Sequence, residues 1–182
     1  MQFNFENYSI APIAMKDAWR ICDFVVSNTE RLKADFPRTV QANLTPTLAE
    51  IFVAKKVKEY DNGLEYLFTL KENTNRTIIG LIYLKELQKI PGQGELAYCI
   101  GYRYEGKGLT SIMVAHIMDW AFKELNLQTL QIIANKSNIA SIKIAKKLGF
   151  VYQRTLSKYH QQYNGDLVDM ELFENYHPTS NL

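Results

Sequence analysis

Apolar residues recur along this chain at two spacings, alternate and three-to-four apart, and the switches between them mark out its elements. "YSIAP" (8–12) reads as a first strand, and "MKDAWRICDFVVSN" (15–28) as a helix burying Trp19, Cys22 and Val26 at helical spacing. A polar stretch, "TERLKADFPRTVQANL", leads into "TPTLAEIFVAKKVKEY", a second helix with Pro46 near its start, where the missing N–H costs nothing. Two strands follow, over 64–72 and 77–87, with a turn at 73–75 between them. A Gly/Pro loop, "QKIPGQG", precedes a further strand over 95–102. From 109 to 125 the apolar residues Leu109, Ile112, Met113, Ile117, Trp120 and Ala121 form the stripe of an amphipathic helix. "TLQIIA" (129–134) is a buried strand, and Asn138 is the N-cap of a helix that Gly149 ends in a left-handed turn with Phe150 packing back. The chain closes on a long hairpin turned at Asn164-Gly165. The order β-α-α-β-β-β-α-β-α-β-β predicts a mixed α/β (α+β) domain with a mostly antiparallel sheet, spanning residues 1–182 as one unit.

Composition narrows the function classes. The 182 residues are 47% hydrophobic and 22% charged, ordinary for a globular domain that buries one sizeable core. A formal net charge of +2 gives no case for nucleic acid or a membrane surface. No apolar run approaches the roughly 20 residues a spanning helix needs. "MQFNFENYS" has neither the basic start nor the apolar stretch of a secretory signal, so the expected location is the cytoplasm. Cys22 and Cys99 read as free thiols packed like small hydrophobes, and with three scattered histidines no metal site is expected.

The candidate chemistry begins at "GYRYEGKGLTS" (101–111), where Gly101 to Lys107 forms G-x-x-x-x-G-K. A nucleotide-binding P-loop needs Ser or Thr next, to hold magnesium on the phosphates, and here Gly108 follows. Such an enzyme also needs an acid at the end of a neighbouring strand, and "TLQIIAN" ends in Asn135. A strand, a glycine loop and a helix start still make a phosphate cradle, because the helix N-terminus offers unpaired N–H groups and partial positive charge. The expected ligand is a pyrophosphate without catalytic magnesium.

Arg103-x-x-Gly106-x-Gly108 resembles the Q/R-x-x-G-x-G/A loop of the GNAT superfamily of acyl-CoA-dependent N-acetyltransferases. A second match lies about thirty residues on: "NIASIKIAKKLGF" resembles the superfamily's N-x-x-A/S helix ending in L-G-F, through Asn138, Ser141, Leu148, Gly149 and Phe150. "GELAYCI" and "MDWAFKELNLQTLQI" are similar to the RimJ/RimL-type branch that acetylates ribosomal-protein N-termini. The resemblance implies a GNAT-like fold whose cofactor, acetyl-CoA, lies where two neighbouring parallel strands, here "ELAYCIGY" and "TLQIIA", splay apart. It implies that backbone groups around Tyr98, Cys99 and Ile100 pair with the pantetheine arm, with an N–H near Ile100 facing the thioester oxygen. Amides from Gly106 through Lys107, Gly108 and Leu109 to Thr110 would hold the pyrophosphate, with Lys107 and Arg103 adding charge and Asn138 positioning the arm. Glu95 stands where the superfamily often places its base. Many relatives carry a proton-donating Tyr seven residues after the motif Asn; here that position is Ala145, and Ser141 is the replacement donor. The acceptor implied is a primary amine, above all a ribosomal or other protein N-terminus, with a monomer or homodimer as the assembly. The rival readings are a CoA-binding sensor without turnover, an acetyltransferase for small amines, and a magnesium-dependent nucleotide enzyme.

Overall fold

The strand-like segments of the sequence gather into one eight-stranded sheet in the computed structural model, which describes residues 2–177. The strands are β1 (Phe3–Phe5), β2 (Tyr8–Pro12), β3 (Tyr66–Glu72), β4 (Ile78–Lys85), β5 (Gln93–Ile100), β6 (Thr129–Asn135), β7 (Val151–Gln161) and β8 (Leu167–Tyr176). They lie in the order β1-β2-β3-β4-β5-β6-β8-β7. Every neighbouring pair is antiparallel except β5 and β6, which run parallel. A parallel pair needs a crossover, and here a helix over residues 109–124 supplies it. The mixed, mostly antiparallel sheet matches the expectation from the sequence; β1 was not anticipated.

Among the described residues, six α-helices accompany the sheet: α1 (Ala18–Ser27), α2 (Thr29–Leu32), α3 (Pro37–Gln41), α4 (Pro46–Asp61), α5 (Leu109–Glu124) and α6 (Ile139–Lys147). Thr45 caps α4 by accepting from the Leu48 amide at 3.3 Å, and Pro46 fills its first position. On one face, α5 lays Leu109, Met113, Val114, Ile117 and Ala121 against Phe68, Ile82 and Leu96 of the strands. On the other, α1 and α4 pack Ile21, Phe24, Val25, Phe52 and Val53 against Leu67, Leu81 and Cys99. With both faces covered, β4 is buried along nearly its whole length, so it reads as an unbroken apolar run rather than an alternation.

The first helical region departs from the expected pattern. Residues Met15–Asp17 form a 3₁₀ turn, and α1 begins only at Ala18. Cys22 is buried as expected, but Trp19 and Val26 are 60% and 51% exposed. The buried stripe is Ala18, Ile21, Cys22, Phe24 and Val25. Positions 18, 21 and 25 satisfy helical spacing as well as 19, 22 and 26 do, rotated by about 100°. The face carrying Ile21, Phe24 and Val25 together offers the sheet more apolar surface. The polar stretch after α1 is not featureless: it folds into the short helices α2 and α3, and Arg31 of α2 reaches the C-terminal end of β5 at Ile100.

Candidate active site

The site is built where β5 and β6 part. Their parallel register runs from Gln93↔Thr129 to Leu96↔Ile132 and stops there, although both strands continue. Beyond that point β5 pairs only with β4, and β6 only with β8. The direction of each backbone group follows from alternation. The Gly101 amide donates to Ile79 O at 2.8 Å, so Gly101, Cys99 and Ala97 turn their N–H and C=O toward β4. Gly92 O accepts from the Thr129 amide at 3.1 Å, so Gly92, Gly94, Leu96, Tyr98 and Ile100 turn theirs toward β6. Tyr98 therefore presents its N–H and C=O, and Ile100 its N–H, into a cleft where no strand answers them, while the Ile100 carbonyl accepts from Arg31. Cys99, between them, faces β4 and sits in the second core cluster; burial pushes its thiol up to about 12.

The glycine loop lies at the mouth of this cleft, following the C-terminal end of β5. Gly106 (φ 70°) and Gly108 (φ 76°) both occupy the left-handed region, which is costly for most side chains. A Cβ at either would meet no protein atom within 4 Å. The glycines thus serve backbone conformation and leave open space in front of the loop, as a pyrophosphate cradle requires. Gly108 caps α5, whose first turn, Leu109 and Thr110, supplies the orphan amides of a helix start. The Lys107 ammonium lies 5.0 Å from the Tyr104 ring centroid, and Arg103 Nε donates to the Tyr102 hydroxyl at 2.8 Å.

The opposite wall is the start of α6. Asn138 caps that helix, its Oδ1 accepting from the Ser141 amide at 3.1 Å, while its Nδ2 donates to Asp35 at 3.2 Å. One side chain therefore performs both helix capping and a tether to the α2–α3 connection. The Tyr98 hydroxyl lies 2.9 Å from Ser141 Oγ and 3.3 Å from Ser141 O. Burial pushes the Tyr98 phenol up to about 12, against the opposing effect of its Ser141 hydrogen bond. Ala145 is fully buried under this wall and presents only a methyl group.

Glu95 sits three residues before Tyr98 and on the other face of β5. It is 6% exposed, and Lys85 Nζ pairs with its carboxylate at 2.9 Å from the directly opposite position on β4. A buried carboxylate is costly without such a partner. Tyr159 lies near this pair: burial, then the negative charge of Glu95, push its phenol pKa upward. It is carried there by a bulge in β7 between Leu156 and His160. His160 Nε2 shares a hydrogen bond with Ala34 O at 2.9 Å, joining the hairpin to the α2–α3 segment. Arg31 of α2 donates from Nε to Ile100 O at 3.2 Å and forms an ion pair with Glu105.

The structure thus brings Tyr98, Ile100, Asn138 and Ser141 to one cleft with the glycine loop at its mouth, and places Glu95 on the far face of the same strand. Sequence reasoning missed Lys85, Tyr159, the contact of Arg31 with Ile100 and the role of the Tyr98 side chain. Only alternation along "GELAYCI" hinted at the last, by setting Tyr98 on the face of Leu96 and Ile100. Among the described residues no group of three or more His, Cys, Asp or Glu could hold a metal ion, and no helix is long and apolar enough to cross a membrane.

The acetyltransferase (GNAT) domain model matches residues 10–151. YdaF of Bacillus subtilis (strain 168), whose name provisionally assigns it ribosomal N-acetylation, is 25% identical over 148 residues, 80% of this chain and 79% of that protein. The spermidine N(1)-acetyltransferase of Escherichia coli (strain K12) is 38% identical over 71 residues, 39% of this chain and 38% of that protein. Among solved structures, the ribosomal-protein-S5-alanine acetyltransferase from Vibrio fischeri matches with a TM-score of 0.92 at 25% identity, covering 100% of both chains. RimL, the ribosomal L7/L12 α-N-protein acetyltransferase, solved in complex with coenzyme A, matches with a TM-score of 0.85 at 14% identity. It covers 94% of this chain and 95% of that one, and at such identity the fold is what the two share.

Proposed function

Because this chain belongs to the GNAT acetyltransferase family, we propose that it moves the acetyl group of acetyl-CoA directly onto a peptide or protein N-terminal α-amine. The observation that carries the cofactor reading is the parting of β5 from β6 beyond Leu96 and Ile132, which leaves the Tyr98 backbone and the Ile100 amide without a strand partner. An extended pantetheine arm fits there as a short added strand, and the open space before Gly106 and Gly108 admits its pyrophosphate. The coenzyme A bound to RimL supports the same ligand class.

The reaction needs a free amine, and an α-amine with a pKa of about 7.7–8.0 is mostly protonated at neutral pH. Glu95 takes that proton, through water because the carboxylate is buried. The nitrogen–carbon bond then forms, and the Ile100 N–H stabilises the charge developing on the thioester oxygen. As the carbon–sulfur bond breaks, the electron pair leaves on sulfur and Ser141 donates a hydrogen bond to it. The nitrogen releases its second proton to water as the amide forms, and the departing thiolate takes up a proton from solvent to leave as the thiol of coenzyme A.

The acceptor reading rests on charge. Three acids near the cleft are paired with cations, Glu30 with Lys33, Glu105 with Arg31 and Glu95 with Lys85, and Asp35 accepts from the Asn138 side-chain amide. A polyamine carrying several positive charges meets no cluster of open carboxylates, whereas a peptide N-terminus brings one charge and a lower pKa. The Vibrio fischeri S5-alanine acetyltransferase, alike over its full length, supports this choice. Polyamine acetylation is the second reading, favoured by the local 38% identity to spermidine acetyltransferase. Equal concentrations of an Ala- or Ser-initiated peptide, an N-blocked lysine peptide and spermidine, competing for acetyl-CoA, decide between them. The α-amine should give the highest kcat/KM. Spermidine prevailing would sink the acceptor reading alone; no thiol release with any amine would sink acetyl transfer as well.

A further inference from the structure

Ser141 is the one hydroxyl on α6, and the Tyr98 hydroxyl stands against it. The two groups can share their hydrogens in two ways. In one, Ser141 donates to Tyr98 and Tyr98 donates onward to the Ser141 carbonyl, so that Ser141 is turned away from the cleft. In the other, Tyr98 donates to Ser141 Oγ, and the serine hydrogen is left to point elsewhere. Both keep the 2.9 Å contact between the hydroxyls, but the first also needs a bond to the carbonyl at 3.3 Å, long for O–H···O, which favours the second. Inside a helix that carbonyl also has an amide four residues on to accept from. The Ser141 backbone is fixed independently, since its amide is held by Asn138 Oδ1.

From this we infer that Tyr98 is a positioning residue for Ser141: its phenol donates to Ser141 Oγ and aims the serine hydrogen into the cleft, toward the leaving sulfur. The inference rests on the role given to Ser141 above. Tyr98 transfers no proton itself. Its phenol, held up near 12 by burial, stays a neutral donor throughout the neutral range. The residue thereby acts on the cleft twice, through a backbone that faces β6 and a side chain that reaches α6.

Tyr98→Phe removes the hydroxyl and keeps the ring, so the fold should survive; an unchanged melting temperature checks this. With saturating peptide and varied acetyl-CoA, kcat should fall about tenfold, the cost of one misdirected hydrogen bond in the transition state. KM for acetyl-CoA should stay within about twofold, since the backbone contacts remain. Ser141→Ala should slow kcat by at least as much, and the double variant should be no slower than Ser141→Ala alone. A structural role for Tyr98 would instead slow the Ser141→Ala background by the same further factor, and that result overturns the inference. So does Tyr98→Phe turning over at the wild-type kcat, or raising KM with kcat unchanged. A wild-type protein that releases no thiol overturns this inference together with the acetyl-transfer reading, Ser141→Ala at the wild-type kcat overturns it together with the role of Ser141, and the Tyr98→Phe results bear on Tyr98 alone.

Discussion

Glu95 shows how much a single residue's role depends on what lies opposite it. Its carboxylate is 6% exposed and paired with Lys85, so it can accept a proton only where that ion pair leaves an oxygen lone pair open. Glu95→Gln preserves shape and removes the base. Turnover should fall roughly 10²-fold at neutral pH, with acetyl-CoA affinity nearly unmoved. The variant's rate should climb with pH toward the amine's own pKa of about 7.7–8.0, because deprotonated amine then forms without help. Wild-type turnover by Glu95→Gln at pH 7 would clear the residue of this role. The sequence singled out Glu95 and Ser141 by position in a resembling motif, but not Lys85 or Tyr98. Their partnerships arise from strand register and from the packing of α6 over β5, which no local pattern records.

At the scale of elements, α5 and its glycine lead were readable because propensity, amphipathic spacing and turn chemistry agree there. The expected span of 109–125 becomes Leu109–Glu124. The N-terminal helices were less readable. On α1 two adjacent stripes satisfy the same period, and only the sheet beneath selects between them; α2 and α3 are too short to show a period at all. The loop itself permits a clean test. Asn tolerates the left-handed backbone better than most side chains, and a Cβ at position 108 meets no protein atom within 4 Å. Gly108→Asn should therefore leave the far-ultraviolet circular dichroism and melting temperature close to wild type. Calorimetry should show acetyl-CoA affinity at least tenfold weaker, since the new side chain stands where the pyrophosphate must approach. Unchanged affinity would remove the loop from the cofactor site.

Across the whole molecule, the divided register makes the sheet two half-sheets, β1 to β5 and β6 to β8, joined by four residue pairs. A ligand lying in the gap would bridge them and act as a splint. The backbone amides of Tyr98 and Ile100 report on this directly. In the free protein they should exchange with deuterated solvent far faster than those of Ala97 and Cys99, which are committed to β4. Coenzyme A should slow the Tyr98 and Ile100 amides by at least tenfold and leave their neighbours nearly unchanged. Equal protection of all four without ligand would mean that the gap closes in solution. If the amides behave as expected, the protein is stiffest across its middle only while it holds the cofactor, and every release of coenzyme A loosens the seam through which the next molecule enters.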